Sequence, residues 1–597
     1  MYKQEPFKKR THYCTDLSLD NIGMEVTVCG WVQRQRDLGQ LIFIDLRDRS
    51  GIVQLAFDES LTSPDIFKKA FSIRSEFVLS ATGKVRERSS KNKNIKTGDI
   101  EILVSNLQIL SEAETPPFEI LDDSNVNEEL RLKYRYLDLR RPCMQQKIIN
   151  RHKIVKIARD YFDENGFLEI ETPILIKSTP EGARDYIVPS RVFPGSCFAL
   201  PQSPQLYKQL SMLSGFDKYF QVARCFRDED LRSDRQPEFT QLDMEMSFVD
   251  CDDVINVAEG FLKKVFKEIL NIDIKLPLRR LSFNEAMTRY GSDKPDTRFS
   301  MELKDLTEIF KNTEFKVFSS AIENGGSVRA IVAPSAADKI SRKEIDKLTQ
   351  WIKAYGAAGL AWTKINNDGT SSSSFEKFLS SSEISDLHSK LGVKNGDVIF
   401  IVANAKNKVV FDSLGNLRNK IADILGLIDK STMDLLWVVD FPLFEYSEEE
   451  SRFVAMHHPF THPKFEDIEK LESDRGNVHA LAYDIVLNGN EIGGGSIRIN
   501  NKELQERMFK ALGFSEEEAK KRFGFLIDAF KFGAPPHGGL AFGLDRMIML
   551  MLNCTSIRDV IAFPKVATSA ELMSQSPGKI DQSQLDELSL SLNLKEE

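Results

Sequence analysis

The chain has no Cys-x-x-Cys pair and no cysteine–histidine cluster at zinc-ligand spacing. Its cysteines (Cys14, Cys29, Cys143, Cys197, Cys225, Cys251 and Cys554) are scattered, which argues for reduced structural thiols rather than a zinc module or a disulfide framework. No apolar run approaches membrane-spanning length, and the first residues, MYKQEPFKKRTHYC, hold no apolar signal core, so a cytoplasmic protein with no membrane partner is expected. There is no Gly-x-x-x-x-Gly-Lys-Ser/Thr phosphate loop and no Gly-x-Ser-x-Gly elbow, and nothing suggests a covalent nucleophile. Positive charge is also short: 80 Lys and Arg face 89 Asp and Glu, a formal charge of −9. That excludes a uniformly basic nucleic-acid binder. Residues 1–110 alone carry 17 basic against 14 acidic side chains, so a local basic face on the first segment stays open.

With 597 residues, 41% hydrophobic and 28% charged, the chain is too long for one core and several domains are expected. Its first hundred residues alternate as short strands (MEVTVCGWV, LIFIDLRD, IVQLAF, EFVLSATGKVRER, DIEILVSNLQIL) with a helix-like DIFKKAFSI between the third and fourth. Five strands with one helix in that place is the order of an OB-fold, a small barrel that binds oligonucleotides. In LIFIDLRD the period of two sets Ile42, Ile44 and Leu46 on one face and Phe43, Asp45 and Arg47 on the other, making Phe43 a candidate platform for an unpaired base. A hinge follows in SEAETPPFEILDDSNVNEE, then a long helix pattern ended by Gly166. Pro173, in FLEIETPIL, marks a strand end or edge. Between about 298 and 428 Gly, Ala and Ser rise, as in an inserted domain, and the final residues form a polar tail with a short helix.

Three segments concentrate the chemistry. CFRDEDLRSDRQPEFTQLDMEM lies between strand patterns, with a polar loop at about 228–236 and Phe239, Gln241, Asp243 and Glu245 on one face of the outgoing strand. Arg227 at the loop entrance offers a planar fork for a phosphate or carboxylate. In ALAYDIVLNGNEIGGGSIRI, Asn488-Gly489 is a type I′ hairpin signal; it sets Val486 opposite Glu491, with Asp484 as the diagonal neighbour of Glu491, a pair suited to Mg²⁺ bridged by phosphate. Strict alternation turns Arg498 away from Glu491 unless the Gly493–Gly495 run supplies a bulge. GGLAFGLDRMIMLML places glycines before a helix, with Arg546 in its first turn. His457 and His458, if on a strand, face opposite ways, so at most one meets a ligand. Cys225 reads as packing.

Taken together these segments resemble the class II aminoacyl-tRNA synthetases, and within them the bacterial-type aspartyl enzymes, essentially end to end. FLEIETPIL is similar to motif 1, CFRDEDLRSDRQPEFTQLD to motif 2 and GGLAFGLDR to motif 3, and the aspartyl strings STPEGARDY, LPQSPQLYKQ, AMHHPFT and NEIGGGSIRI are present. The resemblance implies a multidomain α/β and all-β chain. Its parts would be an OB-fold anticodon-binding barrel at 1–112, a hinge at 113–140, a class II catalytic domain on an antiparallel β-sheet flanked by helices at 141–297 and 429–565, an inserted α+β GAD domain at 298–428 and a C-terminal extension at 566–597.

It further implies ATP-dependent activation of L-aspartate and transfer to the 3′ end of tRNA for aspartate, with Mg²⁺ accompanying ATP, in a homodimer that meets at Pro173. By the same resemblance Arg227, Glu491 and Arg546 are catalytic, and ATP meets Arg227, Asp228, Glu229, Gln236, Phe239, Glu491, Gly543, Leu544, Asp545 and Arg546. Aspartate meets Glu181, Ser203, Gln205, Lys208, Arg227, Asp243, His457, Ser496 and Arg498, with Lys208 and Arg498 on its side-chain carboxylate; Asp484 and Glu491 hold the metal. The anticodon meets Arg36, Phe43, Gln54, Arg86 and Glu101. The alternatives are a relaxed form that also charges tRNA for asparagine, a catalytically silent RNA-binding relative, and a lysyl or asparaginyl enzyme, which the cationic pair Lys208 and Arg498 disfavours.

Overall fold

The computed structural model describes residues 6–178 and 184–594. They form two compact units, Met1–Asn150 with Arg558–Gly578, and Arg151–Ile557 with Lys579–Glu597.

In the first unit five strands close into a barrel in the order Glu25–Asp37, Leu41–Asp48, Gly51–Asp58, Ile100–Ser111, Val78–Glu87. Alternation explains the closure: Ile42, Ile44 and Leu46 enter the barrel core beside Val53, Leu55 and Ile102, while Phe43 and Asp45 stay partly exposed on the outer face. Arg47 shares that outer face yet is buried, because Glu76 covers it with an ion pair of 2.9 Å and Arg140 joins the same carboxylate at 2.8 Å. The helix Pro64–Ser72 lies between the third and fourth strands in sequence. Residues Arg558–Gly578 belong to this unit as well. Buried Arg135 holds them by donating to the carbonyls of Arg558, Ile561 and Ala562 at 2.8–2.9 Å.

The second unit is built on an eight-stranded sheet. From one edge its strands are Arg279–Ser282, Leu435–Val439, Ala482–Leu487, Asn490–Ile497, His537–Gly543, Glu238–Ser247, Lys218–Phe226 and Leu168–Glu169. Only the two edge pairs are parallel. Helix Cys251–Leu270 packs on it through Phe261 against Phe542, and helix Gln205–Leu213 lies against Glu238–Ser247. The charged stretch is an antiparallel pair, with Phe239 opposite Cys225, so the loop between the strands brings its charges to one end of the sheet. Cys225 is buried, and burial pushes its thiol up to about 12, as fits packing.

The turn at Asn488 and Gly489 has φ of +52° and +79°, the two positive values of a type I′ hairpin. Val486 pairs with Glu491 but Ile485 pairs with Gly493, so Ile492 is an extra residue, a bulge just ahead of the glycine run. Within this unit a separate five-stranded sheet runs from Lys304 to Asn404, with its own core of Ile331, Phe400, Val402 and Leu414. The last helix among the described residues is the short Gln582–Leu588. No helix among the described residues is long and apolar enough to cross a membrane.

Candidate active site

Two cavities open on the sheet's charged end and share Arg227, Gln241, Glu491 and Ala541. The first, about 240 Å³, is lined by Arg227, Glu229, Gln236, Phe239 and Arg546. The Arg227 guanidinium sits 5.0 Å from the centre of the Phe239 ring. Arg546, in the first turn of helix Leu544–Met551, donates to the Glu491 carbonyl at 3.0 Å and to Asp234 at 3.1 Å, which aims its planar group across the slot. An aromatic ring with one guanidinium over it and a second guanidinium in the same lining is a surface for a flat, electron-rich ring bearing negative charge.

Two residues expected here stand elsewhere, and a third is engaged otherwise. Leu544 is buried and absent from the lining, because its place in the helix turns it into the core. Asp228 lies outside both cavities and pairs at the surface with Arg184 at 3.5 Å. Asp545 borders the first cavity, but its carboxylate accepts from the Thr240 amide at 2.7 Å and from Arg151, so it anchors the central strand. Gly543, the helix cap, lines the slot.

The second cavity, about 420 Å³, is lined by Ser203, Gln205, Lys208, Asp243, His457, Asp484 and Arg498 among others. Lys208 donates to Asp243 at 2.6 Å and lies 3.3 Å from Glu245. Arg498 spans Glu245 with two bonds, 2.9 and 3.1 Å, and gives its remaining terminal nitrogen to His458 and to Ser496, each at 2.6 Å. A guanidinium has five N–H donors, so four are engaged and one is left; the Lys208 ammonium donates one hydrogen bond, to Asp243, and pairs by charge with Glu245. The open fork expected for a carboxylate is therefore already closed by Glu245, and the pocket offers the remaining donors of two held cations. Arg498 and Lys208 hold the Glu245 carboxyl at about 2 against the opposing effect of burial. Burial raises Asp243, with Lys208 pulling the other way, and its second oxygen has no hydrogen-bond partner among the described residues. Ser496 is buried beneath Arg498, outside the lining. Glu181 lies outside the described residues.

The bulge at Ile492 explains why Arg498 reaches this cavity. An extra residue reverses alternation, so Gly494, Ser496 and Arg498 share the face of Glu491. A Cβ on Gly494 would lie 2.4 Å from an Asp484 oxygen and 3.7 Å from a Glu491 oxygen, so only glycine leaves the two carboxylates room to converge. Burial, then the charge of Asp484, raises the Glu491 carboxyl. Two crowded carboxylates, Glu491 where the cavities meet and Asp484 in the second, fit a hard divalent cation. Among the described residues no three acidic, histidine or cysteine side chains form a metal site by themselves, so such a cation would draw its other ligands from a substrate.

His457 and His458 both line the second cavity, contrary to the expectation of opposite faces. They follow the strand Arg452–Ala455 in a bend rather than extending it, and alternation does not apply. His457 contacts Asp484 at 3.3 Å, and that carboxylate lifts its pKa although burial works against it. His458 is pushed well below the usual range by burial and by Arg498, so it is neutral and accepts from Arg498. Sequence reasoning set Glu245 on the same face as Asp243 and weighed His458, but assigned neither a role, and it did not single out Asp293. Glu245 was within reach, since it shares a face with Asp243; Asp293 sits in a loop with no periodic signal.

On the barrel, Arg36, Gln54, Glu101 and Arg86 form one hydrogen-bonded line of 2.8, 2.6 and 2.7 Å, and Arg36 lies 5.8 Å over the Phe43 ring. These five side chains come one from each of the five barrel strands.

Comparison with known proteins agrees with this architecture. The family model described as tRNA synthetases class II (D, K and N) matches residues 127–567, and an OB-fold nucleic acid binding domain matches 26–110. An aspartate–tRNA ligase of Ruminiclostridium cellulolyticum is 58% identical over 98% of both chains, and an aspartate–tRNA(Asp/Asn) ligase of Lachnoclostridium phytofermentans is also 58% identical over 98% of both. The fold is similar to that of the aspartyl tRNA synthetase from Entamoeba histolytica, with TM-score 0.58 and 20% identity over 93% of this chain and 91% of that one. The chain belongs to the class II tRNA synthetases, in the branch of the aspartate–tRNA ligases.

Proposed function

We propose that the chain activates L-aspartate with ATP and transfers it to the 3′ end of tRNA for aspartate. The observation that carries this reading is the pair of joined cavities, one with two held cations and an unpartnered carboxylate oxygen, the other an aromatic slot, with Arg227 where they meet. Lys208 and Arg498 take the side-chain carboxylate of aspartate, and the free oxygen of Asp243 accepts from its ammonium group. Phe239 and Arg546 hold adenine between them. Arg227 then faces both the α-carboxylate and the α-phosphate. The carboxylate oxygen attacks the α-phosphorus, the bond to pyrophosphate breaks, and Arg227 offsets charge on the phosphoryl oxygens. The tRNA 3′-hydroxyl next attacks the carbonyl carbon and AMP leaves.

Asp484 and Glu491 would hold Mg²⁺, whose charge would neutralise the phosphate oxygens of ATP. Asp484→Asn and Glu491→Gln should each raise the Mg²⁺ concentration needed for half-maximal pyrophosphate exchange; an unchanged Mg²⁺ titration in both would make the hairpin structural.

We assign anticodon reading to the Phe43 face of the barrel. Phe43→Ala should weaken tRNA binding by about 1–3 kcal/mol, the loss typical of one base stack, and leave pyrophosphate exchange without tRNA near the parent value. A parallel fall in exchange would remove Phe43 from this role. A homodimer is supported by the exposed apolar side chains of Leu168, Ile174 and Leu175 around Pro173 at the sheet edge, and is checked by sedimentation. Because a relative named aspartate–tRNA ligase and one named aspartate–tRNA(Asp/Asn) ligase are equally similar, the deciding experiment is charging of purified tRNA for aspartate and for asparagine side by side.

A further inference from the structure

The five-stranded insert carries an open cavity of about 950 Å³ that none of the active-site residues touches. One wall is a pair of phenylalanines, Phe315 and Phe378, with ring centres 5.3 Å apart and planes within 6° of parallel. Phe378 is 51% exposed and Val317 57%, although apolar side chains of this insert otherwise fill two separate cores. The Lys377 ammonium rests 4.9 Å from the centre of the Phe378 ring, and Lys316 stands beside Phe315 in the lining.

Two helices begin at the same cavity, Lys316–Glu323 and Ser381–Leu391. At the first, no side chain caps the helix, and the amides of Lys316 and Val317 have no acceptor among the described residues. At the second, the Ser380 hydroxyl serves Glu383, and the Ser382 amide is left over. Two carboxylates also border the cavity. Glu383 is tied to the Ser380 amide and hydroxyl at 2.7 Å each, and Glu314 with Glu383 balances the two lysines.

We propose that this cavity binds an unpaired nucleotide of an RNA strand. The base continues the Phe315–Phe378 stack, the phosphate meets the free amides at the helix start, and Lys377 moves from the ring to the phosphate. A lining that is neutral in formal charge does not suit a free polyphosphate, whose binding is dominated by charge; it suits a ligand held mainly by stacking. The volume exceeds the 240 Å³ of the slot assigned to adenine, so a base has room beside the ring pair. The site is independent of aspartate activation and of the barrel.

The test is hydrogen exchange at the amides of Lys316, Val317 and Ser382 in the full chain, titrated with hexa-adenylate. These amides should become protected, the half-saturating concentration should rise about tenfold in Phe378→Ala, and Phe378→Trp should restore it. Unchanged exchange along Ser327–Ala333 and Val398–Asn404 shows that the insert remains folded in each variant. Barrel binding does not confuse the readout, which is local to the insert. No protection at these amides, protection that survives Phe378→Ala unchanged, or equal protection by AMP at the same nucleotide concentration would each overturn the assignment.

Discussion

Arg498→Leu should lower aspartate activation by about 2–5 kcal/mol in transition-state terms, roughly thirty-fold to several thousand-fold, and shrink the preference for aspartate over asparagine. Two effects add. The variant loses one of the two cationic donors available to the side-chain carboxylate, and it leaves Glu245, buried and ionised, facing that carboxylate with only Lys208 to offset it. Asparagine is nearly isosteric but neutral; it presents an NH₂ donor to groups that can only donate, so in the parent it is rejected. Without the guanidinium much of that mismatch disappears. Pyrophosphate exchange with each amino acid over a concentration series, on a variant shown to be folded by near-ultraviolet dichroism, measures both quantities. Parent-like activation, or a fully retained preference, would take Arg498 out of side-chain reading.

Glu245→Gln should destabilise the catalytic unit by about 3–5 kcal/mol, the cost typical of removing one partner from a buried ion pair. Glu245 is fully buried and is the carboxylate shared by Lys208 and Arg498, so its neutralisation leaves two cations with Asp243 as their nearest counterion. Aspartate brings the missing negative charge. It should therefore raise the denaturant midpoint of Glu245→Gln by more than that of the parent, and asparagine should not. Glutamine still accepts one hydrogen bond from Arg498 but turns an amide donor toward another donor, so the guanidinium loses its fixed orientation and activation falls as well. A variant as stable as the parent, or one stabilised equally by both amino acids, would show that Glu245 does not set the charge of the pocket.

These expectations rest on features of unequal legibility in the sequence. The barrel could be read because its signal is local: LIFIDLRD alternates strictly, and Ile42, Ile44 and Leu46 are all in the core. The Asn488-Gly489 turn could be read for the same reason, since two positive φ values demand those residue types. Face parity on the outgoing strand also brought Phe239, Gln241, Asp243 and Glu245 together before any partner was known. Parity failed where the backbone left regular geometry. The bulge at Ile492 turned Arg498 toward Glu491, and the bend after Ala455 brought both histidines to one cavity.

The sequence by itself determined the elements, their order, the turn, the inward faces of the strands and which residue types could carry chemistry, because each depends on neighbours a few residues away. Only the tertiary structure decided how those groups are engaged. Asp545 meets the Thr240 amide from 305 positions away, and Glu245 meets Arg498 from 253 positions away. Burial of these charges makes pairing obligatory, since an ionised group removed from water is tolerated only beside its counterion. Which pairs form is settled by strand order and by a single extra residue, quantities that no local pattern encodes.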